Sequence, residues 1–349
     1  MDRKSDKTLA RAPAAGDRTE LLKRALLKIE SLEKRLAAAE RVKDEPIAIV
    51  GMGCRLPAGA NDPQKFWQLL EDGIDAMTDP PPSRWDIDDY YDPDPEAVGK
   101  AYTMKGGFIE DVEHFDAPFF GISPREAEQM DPQQRWLLQV SWQALEDAGI
   151  APAELFGSQT GVFVGMTGSD FLFLQTGNDS RNIDTYLASG TSHAVAAGRL
   201  SYALGLRGPA MTIDTACSAA LLAVHLACNS LRLGECDTAV AGGVLLILSP
   251  DGYVSACKAQ LLSPGGHCKT FDDAADGYAR AEGCAMVTLK RLSDAQRDGD
   301  NVLAVIRGSA ANQDGRSGGL TAPNGNAQEA VIREALANAG LAPTDVSYV

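Results

Sequence analysis

Gly208-Pro-Ala-Met-Thr-Ile-Asp-Thr-Ala-Cys217-Ser-Ala-Ala-Leu-Leu-Ala-Val-His-Leu-Ala-Cys-Asn-Ser-Leu231 joins a short strand to a helix. Met211 to Ile213 has strand character. From Ser218 onward, Ala and Leu recur at helical spacing. Cys217 therefore falls at the strand-to-helix turn, beside free amide N–H groups and the positive end of the helix dipole, a setting that favours a thiolate. Ala216, Ala219 and Ala220 around it are small and leave room for a long thioester arm. Ala223 and Ala227 predict close packing of the helix in a dense interior. A lone cysteine is more often structural, so these residues alone leave open whether Cys217 is a nucleophile or a core thiol.

Apolar strands and helical stretches alternate on both sides of this segment, which indicates an α/β fold. Ile47–Val50, Thr160–Gly165, Val240–Leu248, Ala285–Leu289 and Val302–Ile306 read as strands, and Pro132–Ala148 as a helix with Trp136, Leu137, Val140 and Leu145 inside. Gly51 and Gly53 follow the first strand. Leu56 and Pro57 occupy the positions where a dinucleotide-binding loop needs its third glycine and its helix, so that reading fails. A tight turn needing positive φ is the better account of the two glycines. Ser293–Asp300 is polar and reads as a linker. Pro46 closes an N-terminal helix. In that helix Leu22, Ala25, Ile29, Leu32, Leu36 and Ala39 follow the 3-4 spacing of a coiled-coil seam, while Leu21, Leu26 and Leu27 off the seam leave open an amphipathic helix packed on its own domain. Four regions result: a disordered stretch over 1–20, a coil over 21–43, a body over 44–295, and a further unit over 302–349.

Composition narrows the functional classes. The chain has 349 residues, 44% hydrophobic and 23% charged, with a net charge of −16. Nucleic-acid binding needs a basic footprint, and this chain is acidic. Residues 1–43 run the other way, with twelve Lys and Arg against seven Asp and Glu, which suits an acidic partner and equally a solvated basic helix. No run of about 18 apolar residues and no apolar signal region are evident, so the expectations are no membrane span and a cytoplasmic location. Seven cysteines at irregular spacing, without a C-x-x-C pair, fit reduced thiols and no metal site. Cys228, Cys236, Cys257, Cys268 and Cys284 are expected to be small buried hydrophobes.

A thiolate nucleophile works with a base. His225 lies eight residues beyond Cys217, about 12 Å along a helix, too far for a direct partner. His114, His193 and His267 show no spacing that pairs them with Cys217.

Gly208, Ile213 and Ala216-Cys217-Ser218-Ala219-Ala220 together resemble the active-site signature of β-ketoacyl synthases. Further blocks resemble the ketosynthase domain of modular type I polyketide synthases. They are Glu45-Pro-Ile-Ala-Ile-Val-Gly-Met-Gly-Cys-Arg-Leu-Pro57, Phe119-Phe-Gly-Ile-Ser-Pro-Arg125, Met130-Asp-Pro-Gln-Gln-Arg135, Ala241-Gly-Gly243, Cys268-Lys-Thr-Phe-Asp272 and Asn312-Gln-Asp-Gly-Arg316. The resemblance covers Glu45 to Val349. It implies a thiolase-like fold of five αβαβα layers, here with an incomplete second half. It also implies a homodimer, and an N-terminal docking coil that receives an upstream synthase polypeptide.

The implied chemistry is acyl transfer to Cys217 followed by decarboxylative Claisen condensation with a malonyl-type extender. No cofactor would be bound directly, because the substrates ride on the phosphopantetheine arms of acyl carrier domains. The family often has three serines after the cysteine, where this chain has Ser218-Ala219-Ala220. The family's catalytic histidines and lysine lie in blocks beyond the point matching Val349, and none of the four histidines present fits those motifs. Only Cys217 is carried over, and the chain as given is expected not to condense. Two alternatives are a docking or scaffold stub without catalysis, and a stand-alone fatty-acid condensing enzyme of the same fold. A decarboxylase-only domain would carry glutamine in place of Cys217.

Overall fold

The computed structural model describes residues 23–26, 28–29, 45–177, 179, 181 and 183–349. The chain divides into two compact units, Met1–Asp44 and Glu45–Val349. In the first unit the six described residues are helical and exposed. The disordered stretch expected over 1–20 and the seam expected over 21–43 otherwise lie outside the described residues.

The second unit is built on a six-stranded sheet. Its strands are β1 (Ile47–Arg55), β3 (Thr160–Met166), β4 (Ala210–Ile213), β5 (Thr238–Leu245), β7 (Gly283–Arg291) and β8 (Ala304–Ile306), in the order β4-β3-β5-β7-β1-β8. Two short strands, β2 (Gly106–Gly107) and β6 (Arg280–Ala281), pair separately. β3 is parallel to β4 and β5, whereas β7 is antiparallel to β5 and β1, and β8 is antiparallel to β1.

Side-chain alternation along the strands explains the layering. Val162, Val164 and Met166 of β3 face one side and pack with α1 (Pro132–Asp147) and α2 (His193–Leu204). Phe163 faces the other side and packs with Ala223, Ala227 and Leu231 of α3 (Ala219–Leu233). A strand covered on both faces must be apolar throughout, and all seven residues of β3 are buried. α1 begins where the sequence places it. Asp131 caps it by accepting from the Gln133 amide at 2.8 Å, and Pro132 supplies the first helical position.

Three expectations need correction. Gly51 and Gly53 do not form a turn, because β1 continues to Arg55 with a bulge between Ile49 and Gly51. Their role is steric. A Cβ on Gly51 would collide with the Ala144 carbonyl and lie 2.6 Å from the Ala148 nitrogen, and one on Gly53 would lie 2.6 Å from the Val140 carbonyl. The glycines let α1 rest directly on the strand, and the positive-φ turn falls later, at Ala58 and Gly59. Second, the polar stretch 293–300 is mostly helix, Leu292–Asp298, with Ala295 buried against Ala48 and Val50. Third, the chain does hold one run of 18 residues, Ala216–Leu233, apolar enough for a membrane span by length and composition alone. It is instead the helix that packs on β3, β4 and β5.

Gly51→Ala should therefore destabilise the protein by about 1–3 kcal/mol through overpacking. Gly198→Ala, at an exposed position in α2 where the added Cβ meets nothing within 4 Å, should stabilise it by up to about 1 kcal/mol. Urea unfolding of both variants checks the opposite signs.

Candidate active site

β4 runs to Ile213, and the chain then reverses into α3 through Asp214 to Ser218. Three local features hold the bend. Asp214 Oδ1 accepts from the Ala216 amide at 3.0 Å. Ser218 Oγ lies 3.0 Å from the Thr215 carbonyl and 2.9 Å from its hydroxyl. Ala216 takes φ of +53°, a conformation that costs a non-glycine residue about 1–3 kcal/mol. A single 3-10 turn, Ala216–Ser218, then carries Cys217 to the start of α3. The elbow expected from the sequence is present, and Cys217 is exposed on it.

The elbow can reach the sheet because two facing strand positions lack side chains. A Cβ on Gly165 would lie 2.5 Å from the Ala220 nitrogen and 2.6 Å from the Ala219 carbonyl carbon. One on Gly243 would lie 2.8 Å from the Ala220 Cβ. Cys217 thereby opens onto a cavity of about 590 Å³ at the carboxyl ends of β3 and β5, where parallel strands place ligand sites. Gly165, Gly243, Ala279, Ala281, Gly283 and Ala285 line it with small groups, and Leu56 and Leu245 add apolar surface. A second cleft, of about 630 Å³, is lined by Arg55, Asp75, Asp79, Glu110, Trp136 and Gln143 and offers no thiol or imidazole.

The other thiols differ. Cys54, Cys228, Cys236 and Cys284 are buried, and desolvation pushes each thiol up, Cys228 to about 11. Cys257 is buried as well. Cys268 departs from the expectation of burial. It is exposed on a loop, and its sulfur accepts from the Ala279 amide at 3.2 Å.

The histidines are occupied elsewhere. His225 accepts from Asn229 at Nε2, 3.0 Å away, and its Nδ1 lies 2.7 Å from Ser309 Oγ, while burial lowers its pKa. His267 pairs with Asp75 at 2.8 Å, and that bond raises its pKa. His193 lies 2.6 Å from the Gly168 carbonyl, and His114 sits 3.5 Å from Asp111 on the surface. Asp111, Glu113 and His114 could together offer ligand atoms to a metal, but all three are exposed. Among the described residues, none hydrogen-bonds the Cys217 thiol.

This elbow-and-cavity architecture has a family match. Residues 44–295 match the N-terminal domain of β-ketoacyl synthases, and residues 303–349 match the C-terminal domain. The chain belongs to the β-ketoacyl synthase family. One polypeptide of the phenolphthiocerol/phthiocerol polyketide synthase of Mycobacterium tuberculosis is 55% identical over 305 residues, covering 87% of this chain and 17% of that protein. Another polypeptide of the same synthase is 52% identical over the same length, which is 20% of its own.

Among solved ketosynthases, the oxazolomycin ketosynthase domain OzmH KS7 of Streptomyces albus is 44% identical, with a TM-score of 0.83. The ketosynthase from module 6 of the bacillaene synthase of Bacillus subtilis is 42% identical, with a TM-score of 0.79. Each match covers 87% of this chain, against 53% and 50% of the solved chains. The fold is thus thiolase-like, a mixed sheet with helices on both faces. The chain spans about half the length of these solved relatives and a fifth or less of the curated synthases.

Brief iodoacetamide treatment of the native ketosynthase chain should label Cys217 and Cys268 and spare the five buried thiols, as read by peptide mass mapping. In an NMR titration His267 should titrate above, and His225 below, the free imidazole value of about 6.5. Asp75 favours charged His267, so the pair is strongest below that value and fades as pH rises through the raised one. Asp75→Asn should lower the His267 midpoint and leave His225 unchanged.

Proposed function

We propose that Cys217 is the acyl-accepting nucleophile of a ketosynthase from a modular polyketide synthase. The supporting observation is the exposed thiol on a strained elbow, opening onto a cavity walled by glycine and alanine. The thiolate attacks the carbonyl carbon of an acyl thioester. The resulting oxyanion is held in part by the Cys217 N–H, and the carrier's thiol leaves as the new thioester forms.

In the complete reaction a malonyl-type thioester loses CO₂. Its enolate carbon then attacks the acyl group, and the Cys217 thiolate is released. The bases for that second half are not supplied by His114, His193, His225 or His267. In this reading the 349 residues by themselves load an acyl group and do not condense it. In this reading the partners are acyl carrier domains bearing phosphopantetheine, a second copy in a homodimer, and an upstream synthase polypeptide received by residues 21–43. The location is cytoplasmic. Residues 44–295 form one functional half, and 302–349 begin the next.

Incubation with an acyl N-acetylcysteamine thioester should add one acyl mass to the wild-type chain and none to Cys217→Ala, which should keep its circular dichroism spectrum. Acyl attachment to the Cys217→Ala chain at an undiminished rate would refute the assignment. Release of CO₂ from a malonyl carrier at catalytic turnover would refute the restriction to loading.

A further inference from the structure

The β3–β5 ladder ends at the pair Met166 and Val244, and beyond it the two strands separate around the cavity. The segment leaving β5 then has four consecutive amides that no neighbouring strand satisfies. Side chains from three distant places accept them. Gln133 Oε1 takes the Leu246 N–H at 3.2 Å. Glu282 Oε1 takes that of Ile247 at 2.7 Å. Asp170 Oδ2 takes those of Leu248 and Ser249 at 3.1 and 3.2 Å.

Two of these side chains reach further. Gln133 Nε2 lies 3.4 Å from the Thr167 carbonyl, so its amide spans the gap between the separated strands as a missing ladder rung would. Glu282 is fully buried. It also accepts from the Ile109 amide at 2.7 Å and from Arg84, whose guanidinium bonds the Ile247 and Ile109 carbonyls. Both strand ends so braced, Thr167 and Val244–Leu245, line the cavity that holds Cys217. Buried polar groups that are fully paired define one backbone position rather than a range of them.

We infer that Gln133, Asp170 and Glu282 are positioning residues that hold the 246–249 segment, and with it the Val244–Leu245 wall, at the distance from Thr167 that admits an acyl chain beside Cys217. The inference rests on Cys217 as the acyl acceptor. None of the three touches the reacting atoms, so their removal should be felt through the size of the acyl group. A loosened wall disfavours a long chain that must lie along it, and leaves a two-carbon group and the thiol itself unaffected.

Asp170 is the informative position. Removing Glu282 would strand the buried Arg84 without its counter-charge and endanger the fold, whereas Asp170 is half-buried and its two bonds go to backbone amides. The test uses the full chain and three probes: iodoacetamide, and the acetyl and octanoyl N-acetylcysteamine thioesters, with second-order rates at Cys217 read by peptide mass mapping, which separates it from the exposed Cys268. Asp170→Ala should lower octanoyl loading about tenfold. Acetyl loading and alkylation of Cys217 should stay within about twofold of wild type. Asp170→Asn, which keeps an acceptor oxygen, should restore octanoyl loading.

An unchanged octanoyl rate in Asp170→Ala overturns the inference alone. So does an equal fall with all three probes, which marks a general loss of structure. A wild-type chain that alkylates at Cys217 but accepts neither acyl group removes the acyl-acceptor reading and this inference with it.

Discussion

The site depends on one close approach, that of Ala219 and Ala220 to the backbone of β3 and β5. Neither Gly165 nor Gly243 can carry a side chain without displacing the start of α3. That contact sets how far the elbow stands above the strand ends. It places the Cys217 thiol at the mouth of the cavity instead of within the core, where Cys228 and Cys284 sit and where desolvation disfavours a thiolate. The φ of Ala216 is a local cost of the same arrangement, sustained by the packing on both sides of the bend.

The glycines on the opposite face follow the same rule. Gly51 and Gly53 let α1 lie against β1, as Gly165 and Gly243 let α3 lie against β3 and β5. The sheet is therefore gripped closely from both sides. The strand ends that project past it diverge around the cavity, and they are the parts that side chains brace.

The elbow was legible in the sequence because strand, turn and helix follow one another within about twenty residues, and periodicity reports local order. Strands and long helices were found for the same reason. What periodicity could not report was the use of a residue by a distant partner. Gly51 and Gly53 look like turn residues until α1, some ninety positions later, is seen lying on them. Cys268 looks like any core cysteine until its loop is seen to stand in solvent. Residues 293–300 look like a linker because their many charges pair within the folded chain, Arg291 and Arg297 with Asp294 and Lys290 with Asp298 and Asp300. The braces at Gln133, Glu282 and Asp170 lie 113, 35 and 78 residues from the amides they accept. No local pattern could have joined them.

The central claim is that the cavity beside Cys217 receives an acyl chain. The most direct measurement is a crystal structure of the chain after reaction with an octanoyl thioester. The account predicts electron density continuous with Cys217 Sγ, running between Thr167 and Leu245 along the glycine and alanine wall. Density attached to Cys268, or leading from Cys217 away into solvent with the cavity empty, would contradict it.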